Sequence, residues 1–142
     1  MIRGSHTTKW ARSSWPNVRF PSYPPVIIDS GTTQILLPSN IAGIVNGLFN
    51  PPSKYIAEKG SFYVECKAIP PQFGVAIGNQ TFWIDPDDMI LLSEIDDETG
   101  LCLTSVQSGG EGPYILGLAF LQNVIAVFDV GAVEMRFAAH EY

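Results

Sequence analysis

Charge is scarce in this sequence of 142 residues: only 15% of positions are charged, and there are just two cysteines and two histidines. No apolar stretch approaches the roughly 18 to 20 residues that a membrane-crossing helix needs. The longest, such as Val124 to Phe128, are of strand length, so no membrane partner is expected. His6 and His140 stand near opposite termini, which gives no metal-ligand spacing, and no Ser-His-Asp or Cys-His arrangement can be assembled. No acidic residue precedes Asp29. Arg3, Lys9, Arg12 and Arg19 precede it, leaving 14 acidic and 4 basic residues from Asp29 onward, a formal −10. Such an acidic body argues against a nucleic-acid partner and fits a protein that works in acid. Hydrophobic residues make up 46%, enough for a core, and the length suits one domain.

The first 25 residues are polar, basic and punctuated by Pro16, Pro21, Pro24 and Pro25. They predict an irregular arm, with at most a short strand near Val18 to Phe20. Met1 is followed by no apolar core, so no signal peptide is read there. Arg3-Gly4-Ser5-His6 looks like an expression-tag remnant, expected to lie outside the fold. Order is expected from Val26. Val26-Ile27-Ile28 is a β-branched run, Asp29 to Thr33 a turn, and Gln34 to Leu37 a second strand. A helix follows, with Ser39 as its N-cap and Ile41, Ile44, Val45, Leu48 and Phe49 as its apolar face.

The remainder reads as short strands separated by Gly and Pro turns: 62–66, 73–77, 80–84, 89–92, 101–106, 114–116, 124–129 and 134–137. Gly78-Asn79 has the spacing of a two-residue hairpin turn. The fold class is therefore mostly β with one or two short helices, and no internal repeat is present. Asn79-Gln80-Thr81 is also an N-glycosylation sequon, meaningful for a chain that enters a secretory route. The acidic groups Asp85, Asp87, Asp88 and Asp96, Asp97, Glu98 lack the twelve-residue pattern of a calcium loop. They are read as solvated loops, and no metal is expected. Two cysteines, Cys66 and Cys102, permit one bridge without establishing it.

The segment that carries chemistry is Ile27-Ile28-Asp29-Ser30-Gly31-Thr32-Thr33. A carboxylate ends a hydrophobic strand and is followed by hydroxyls around a glycine. Gly31 is expected to supply backbone freedom and close approach, and neighbouring hydroxyl and N–H groups to hold the carboxylate ionised. By itself, Asp-Ser-Gly-Thr also suits a plain turn in which the Asp caps its own backbone. Actin-like ATPases use a related phosphate turn, but the second glycine-rich phosphate turn that they need is missing here.

The order of motifs from Val26 onward resembles the C-terminal lobe of pepsin-like aspartic proteases, fungal secreted ones especially. The Asp29 segment is similar to that family's second active-site motif. Leu36-Leu37-Pro38 and the helix after it are similar to the family's next stretch of chain. Pro70-Pro71-Gln72-Phe73-Gly74-Val75-Ala76-Ile77-Gly78 resembles a strand-to-hairpin stretch of the family. Tyr114-Ile115-Leu116-Gly117 resembles its hydrophobic-hydrophobic-Gly element, and Phe120-Leu121 with Val124 to Phe137 its closing strands.

The resemblance implies a single pepsin-like lobe at 26–142 preceded by the arm at 1–25. Asp29 would be a catalytic carboxylate of an aspartic-type endopeptidase. Ser30 would lock two active-site loops together, Gly31 would allow their approach, Thr32 would hydrogen-bond the outer oxygen of Asp29, and Thr33 would line the substrate cleft. Ile115, Leu116 and Gly117 would form the psi-shaped crossing, and Cys66 and Cys102 a disulfide. No cofactor is implied. The expected partners are a protein or peptide substrate, pepstatin-type inhibitors, and a source for the second aspartate, which is absent from this sequence together with the family's flap. That source is either an N-terminal protease lobe or a second copy forming a homodimer. Without one, the chain would be an inactive folded module. The family also implies a secreted or vacuolar location.

Overall fold

The computed structural model describes residues 8–11 and 25–140. In chain order the elements are β1 (Thr8–Ala11), β2 (Val26–Ile28), β3 (Ile35–Leu37), α1 (Ser39–Asn46), β4 (Lys54–Ile56), β5 (Ser61–Val64), β6 (Gly74–Ile77), β7 (Gln80–Trp83), a 3-10 turn (Pro86–Met89), β8 (Ile90–Ile95), β9 (Cys102–Thr104), β10 (Val106–Ser108), β11 (Tyr114–Leu116), α2 (Leu118–Leu121), β12 (Val124–Asp129) and β13 (Glu134–Ala139). The mostly-β reading holds: the described residues include thirteen short strands and two short helices.

Among the described residues the strands form four small sheets, ordered β1-β6-β7, β10-β3-β11-β2, β4-β5-β9-β8 and the hairpin β12-β13. The Gly78-Asn79 turn joins β6 to β7 with Ile77 opposite Gln80, as the spacing predicts. β1 pairs antiparallel with β6 from Thr8 to Ala11, so part of the arm expected to be irregular is a strand. Pairing with β6 supplies order that its own pattern does not announce. The strand expected near Val18 to Phe20 lies outside the described residues.

One predicted strand is two. The run 101–106 breaks at Ser105, whose N–H donates to the Met89 carbonyl while its own carbonyl accepts from Ile35 N–H. β9 therefore stays in the sheet of β5 and β8, and β10 crosses to pair in parallel with β3. The sequence gives no clear sign of this change of sheet, because Thr104 and Ser105 are buried along with the apolar residues on either side. β4 escapes the sequence reading for the opposite reason: as an exposed edge strand it carries no apolar alternation.

Helix α1 also differs from expectation. Pro38 takes the N-cap position and Ser39 is already helical. Its hydroxyl is therefore not placed to accept from the first-turn N–H groups and instead lies 2.7 Å from the Ser108 hydroxyl. The buried face is Ile41, Ala42, Val45 and Asn46, while Ile44 is exposed and Leu48 and Phe49 lie beyond the helix. Asn46 displaces Ile44 from the interior because it makes a polar hub. Its amide donates to Ala42 O at 2.9 Å and Val106 O at 2.8 Å, and its carbonyl oxygen accepts from Thr104 Oγ1 at 2.8 Å and Ser53 Oγ at 3.1 Å. These bonds tie α1 to the start of β10, the edge strand of the sheet that carries Asp29.

A continuous apolar core joins the layers, with Ile35, Leu37, Val75, Met89, Val106 and Phe120 among its fully buried side chains. Phe82, Phe120 and Phe137 meet edge to face, with ring centres 5.9 to 6.4 Å apart. They fasten the β6–β7 hairpin, α2 and β13 to one another. Cys66 and Cys102 are bonded, with their Cα atoms 5.0 Å apart and a sequence separation of 36. Closing such a loop stabilises the chain by about 3 to 4 kcal/mol.

The acidic groups do more than solvate loops. Asp96 is buried, pairs with Lys59, and accepts from Thr99 N at 2.9 Å and Thr99 Oγ1 at 2.5 Å. Asp88 accepts from Asn123 Nδ2 at 2.8 Å, and Asp85 caps the 3-10 turn by accepting from Asp87 N. Asp97, by contrast, is exposed.

Candidate active site

The site is built on a crossing of backbone strands. β2 and β3 leave a gap at the Asp29 turn, and β11 fills it, lying parallel to β2 and antiparallel to β3. Ile115 stands opposite Ile27, and Leu116 opposite Ile28. The carbonyl of Leu116 accepts from Asp29 N–H at 3.1 Å, so the strand end bearing the carboxylate is hydrogen-bonded directly to β11.

The chain then turns at Gly117 and presents its N–H groups to the far side of the same loop. Gly117 N–H donates to Gln34 O at 3.1 Å, Leu118 N–H to Thr32 O at 2.8 Å and Ala119 N–H to Thr33 O at 3.0 Å. Three consecutive backbone donors thus hold the loop that begins with Asp29. A Cβ on Gly117 would lie 2.2 Å from Thr32 O and 2.3 Å from Gln34 O, so only glycine fits here.

Within the turn, Asp29 is half-buried. Oδ1 accepts from Gly31 N–H at 2.8 Å, and Oδ2 accepts from the Thr32 hydroxyl at 2.7 Å. The Thr32 bond, and then the Gly31 bond, hold the carboxyl below its ordinary acidity range, against a smaller opposing effect of burial. Both oxygens keep further acceptor capacity. The arrangement is therefore an ionised, oriented carboxylate with room on each oxygen for a proton, a water or a second carboxyl group.

Gly31 serves differently from expectation. It is not among the glycines with positive φ. What constrains it is the Asp29 side chain: a Cβ at Gly31 would lie 3.1 Å from Oδ1, crowding the oxygen that its own N–H holds. Ser30 is exposed and its hydroxyl makes no hydrogen bond among the described residues, leaving it available to a group outside this chain. Thr33 is exposed, with its carbonyl engaged by Ala119.

Ile115, Leu116 and Gly117 lie alongside the Asp29 turn. The Cys66–Cys102 bridge and Asn79 lie on other sheets. Sequence reasoning missed the contributions of Gln34, Leu118 and Ala119, because they act through backbone groups. It also missed that Ile27 and Leu118, both large and apolar, are 42% and 40% exposed beside the turn. The only available signal was the glycine after Ile115-Leu116, which marks a close backbone approach.

Comparison with known proteins gives a consistent result. The sequence profile of the eukaryotic aspartyl protease family matches residues 14–140. A probable aspartic-type endopeptidase of Aspergillus fumigatus is 47% identical over 117 residues, covering 80% of this chain and 27% of that protein. An acid protease of Saccharomycopsis fibuligera is 31% identical over 119 residues, 83% of this chain and 29% of that protein. The chain thus spans between a quarter and a third of the length of these curated relatives. Among solved structures, the aspartic proteinase from Irpex lacteus superposes with a TM-score of 0.66 at 19% identity, covering 97% of this chain and 48% of that one. That likeness speaks to the fold.

Proposed function

This chain belongs to the eukaryotic aspartyl protease family, and from that premise we propose that it is one lobe of an aspartic-type endopeptidase, with Asp29 as one of the two catalytic carboxylates. The observation that carries this reading is the pair of hydrogen bonds from Gly31 and Thr32 to separate oxygens of Asp29, on a loop fastened to β11.

Two carboxylates close together share one proton, because both cannot ionise at once. Asp29, held ionised by its donors, takes a proton from a water as that water attacks the peptide carbonyl carbon. The protonated partner carboxyl donates to the carbonyl oxygen. Return of a proton to the amide nitrogen lets the C–N bond break. Ser30 bonds to the partner loop, and Thr33 and the exposed Ile27 and Leu118 face the peptide.

The second carboxylate comes from an N-terminal lobe, a reading supported by the greater length of the relatives. A second copy across a two-fold axis is the other source. A further reading is favoured by the presence of a single Asp-Ser-Gly-Thr turn: alone and monomeric, the chain is a folded module without catalysis. The bridged cysteines support an oxidising, extracytosolic location.

The test is cleavage of an unfolded protein at acidic pH. The chain is assayed alone and with a supplied N-terminal lobe, and its oligomeric state is measured by light scattering. Pepstatin-sensitive cleavage that Asp29→Asn abolishes, with the fold intact, is expected for the assembled enzyme. Cleavage that persists in Asp29→Asn, or no cleavage in any assembled form, would sink the proposal.

A further inference from the structure

We infer that Asn79 is an N-glycosylation site. Asn79-Gln80-Thr81 carries the required amide and hydroxyl at the required spacing, and the fold puts them where a transferase can reach them. Gly78 takes the first central position of the β6–β7 turn at φ 61°, where a type II′ hairpin turn calls for glycine. Asn79 takes the second, at the tip, and both Asn79 and Gln80 are exposed. The Asn79 amide makes no hydrogen bond among the described residues, so nothing must be broken to modify it.

The sequon runs from the tip into β7, the edge strand of the order β1-β6-β7, whose outer edge pairs with no strand among the described residues. Asn79 also lines the mouth of a groove of about 570 Å³ beside Ile77, Phe82 and Phe137, which leaves space for a first sugar. The hairpin belongs to a different sheet from the one holding Asp29, so a glycan here does not interrupt the β2–β11 crossing.

A second, independent observation supports passage through the compartment where the modification occurs. Cys66 and Cys102 are bridged and no free cysteine remains among the described residues. Structural disulfides of this kind form in oxidising compartments, the secretory lumen among them. The donor there is an oligosaccharide linked to a polyprenyl pyrophosphate. The Asn79 side-chain nitrogen forms a bond to the anomeric carbon as the carbon–oxygen bond to pyrophosphate breaks. The pyrophosphate leaves with the electron pair, and the amide loses one proton to the transferase. No oxidant or reductant is needed.

The test expresses the full chain into the lumen of a fungal secretory pathway behind a cleavable leader. Its Cys66–Cys102 bridge is verified by peptide mapping, which certifies that the molecules analysed reached the lumen. The expected result is a mass decrease on digestion with a peptide-N-glycosidase, with Asn79 converted to Asp in the mapped peptide. Asn79→Gln and Thr81→Ala should each abolish the shift, and Thr81→Ser should retain it. Bridged chain with an unmodified Asn79 peptide, or a shift that survives Asn79→Gln, overturns the inference.

Discussion

Gly117 passes so close to Thr32 that a Cβ on Gly117 would stand 2.2 Å from the Thr32 carbonyl oxygen. The contact is backbone against backbone, so no side-chain rotation relieves it. Gly117→Ala is expected to destabilise the chain by about 3 kcal/mol, at the upper end of overpacking costs. It should also separate the Asp29 loop from β11. Urea unfolding checks the first effect, and loss of protection of the Leu118 and Ala119 amides from hydrogen exchange checks the second. A variant with wild-type stability would show that the crossing is looser than these distances require.

Thr32 is the principal cause of the lowered pKa of Asp29. A group whose pKa falls on folding contributes stability above its unfolded value, here the ordinary 3.8, and that contribution is lost as pH drops through the folded value. Thr32→Val removes the hydroxyl donor and leaves Gly31 in place, so the Asp29 pKa should rise. Thr32→Ser should keep it low. Carboxyl-detected NMR titration of the isolated chain reads this directly. In an assembled enzyme the acid limb of the rate profile belongs to the dyad and not to one residue, and Thr32→Val should move it upward. An unchanged titration in Thr32→Val would assign the depression to the Gly31 N–H instead.

Much of this site is legible in the residues themselves. Asp29 and Thr32 act through side chains a sequence displays, Gly31 is marked by the side chain it lacks, and β2, β3 and β11 are short apolar runs bounded by turn residues. What is not legible is whatever depends on who lies alongside. Ser105 marks a change of sheet inside a run that is buried on both sides. Thr8–Ala11 becomes a strand because β6 offers an edge. Gln34, Leu118 and Ala119 contribute backbone groups whose chemistry is the same in every residue, so no side-chain pattern reports them. Asp96 reads as one more acid in an acidic loop until Lys59 is seen beside it.

Asn46 carries four hydrogen bonds with no exposure to water. Asn46→Ala would strip Thr104 Oγ1 and Val106 O of a partner and leave a small void, a combination expected to cost about 3 kcal/mol. Asn46→Leu fills the void yet leaves the same groups without their Asn46 partner, although Thr104 Oγ1 keeps its contacts with Val106 O and Gln107 Nε2, so it should rescue only part of the loss. Chemical denaturation of both variants checks this. Full rescue by leucine would show that packing, and not hydrogen bonding, is what Asn46 supplies.

Asp96 ties the segment before β5 to the end of β8 through Lys59, which also reaches Glu98 at 3.2 Å. Lys59 is the first cause of the lowered Asp96 pKa and Thr99 the second, while Asp96 in turn raises that of Lys59. The sign of each follows from linkage. The Asp96 contribution is fully present above 3.8 and disappears as pH falls through its lower folded value. The Lys59 contribution is present below 10.5 and disappears as pH rises through its higher folded value. The pair therefore stays formed at acidities where an ordinary carboxylate has begun to protonate, which suits a lobe whose proposed reaction runs in acid. Asp96→Asn should lower the melting temperature near neutral pH, and its gap from wild type should narrow as pH drops below 3.8. Lys59→Met should raise the Asp96 pKa and bring acid unfolding on at a higher pH. Melting curves across the acid range distinguish the two, and a gap that stays constant for Asp96→Asn would mean that the carboxylate does not titrate with folding.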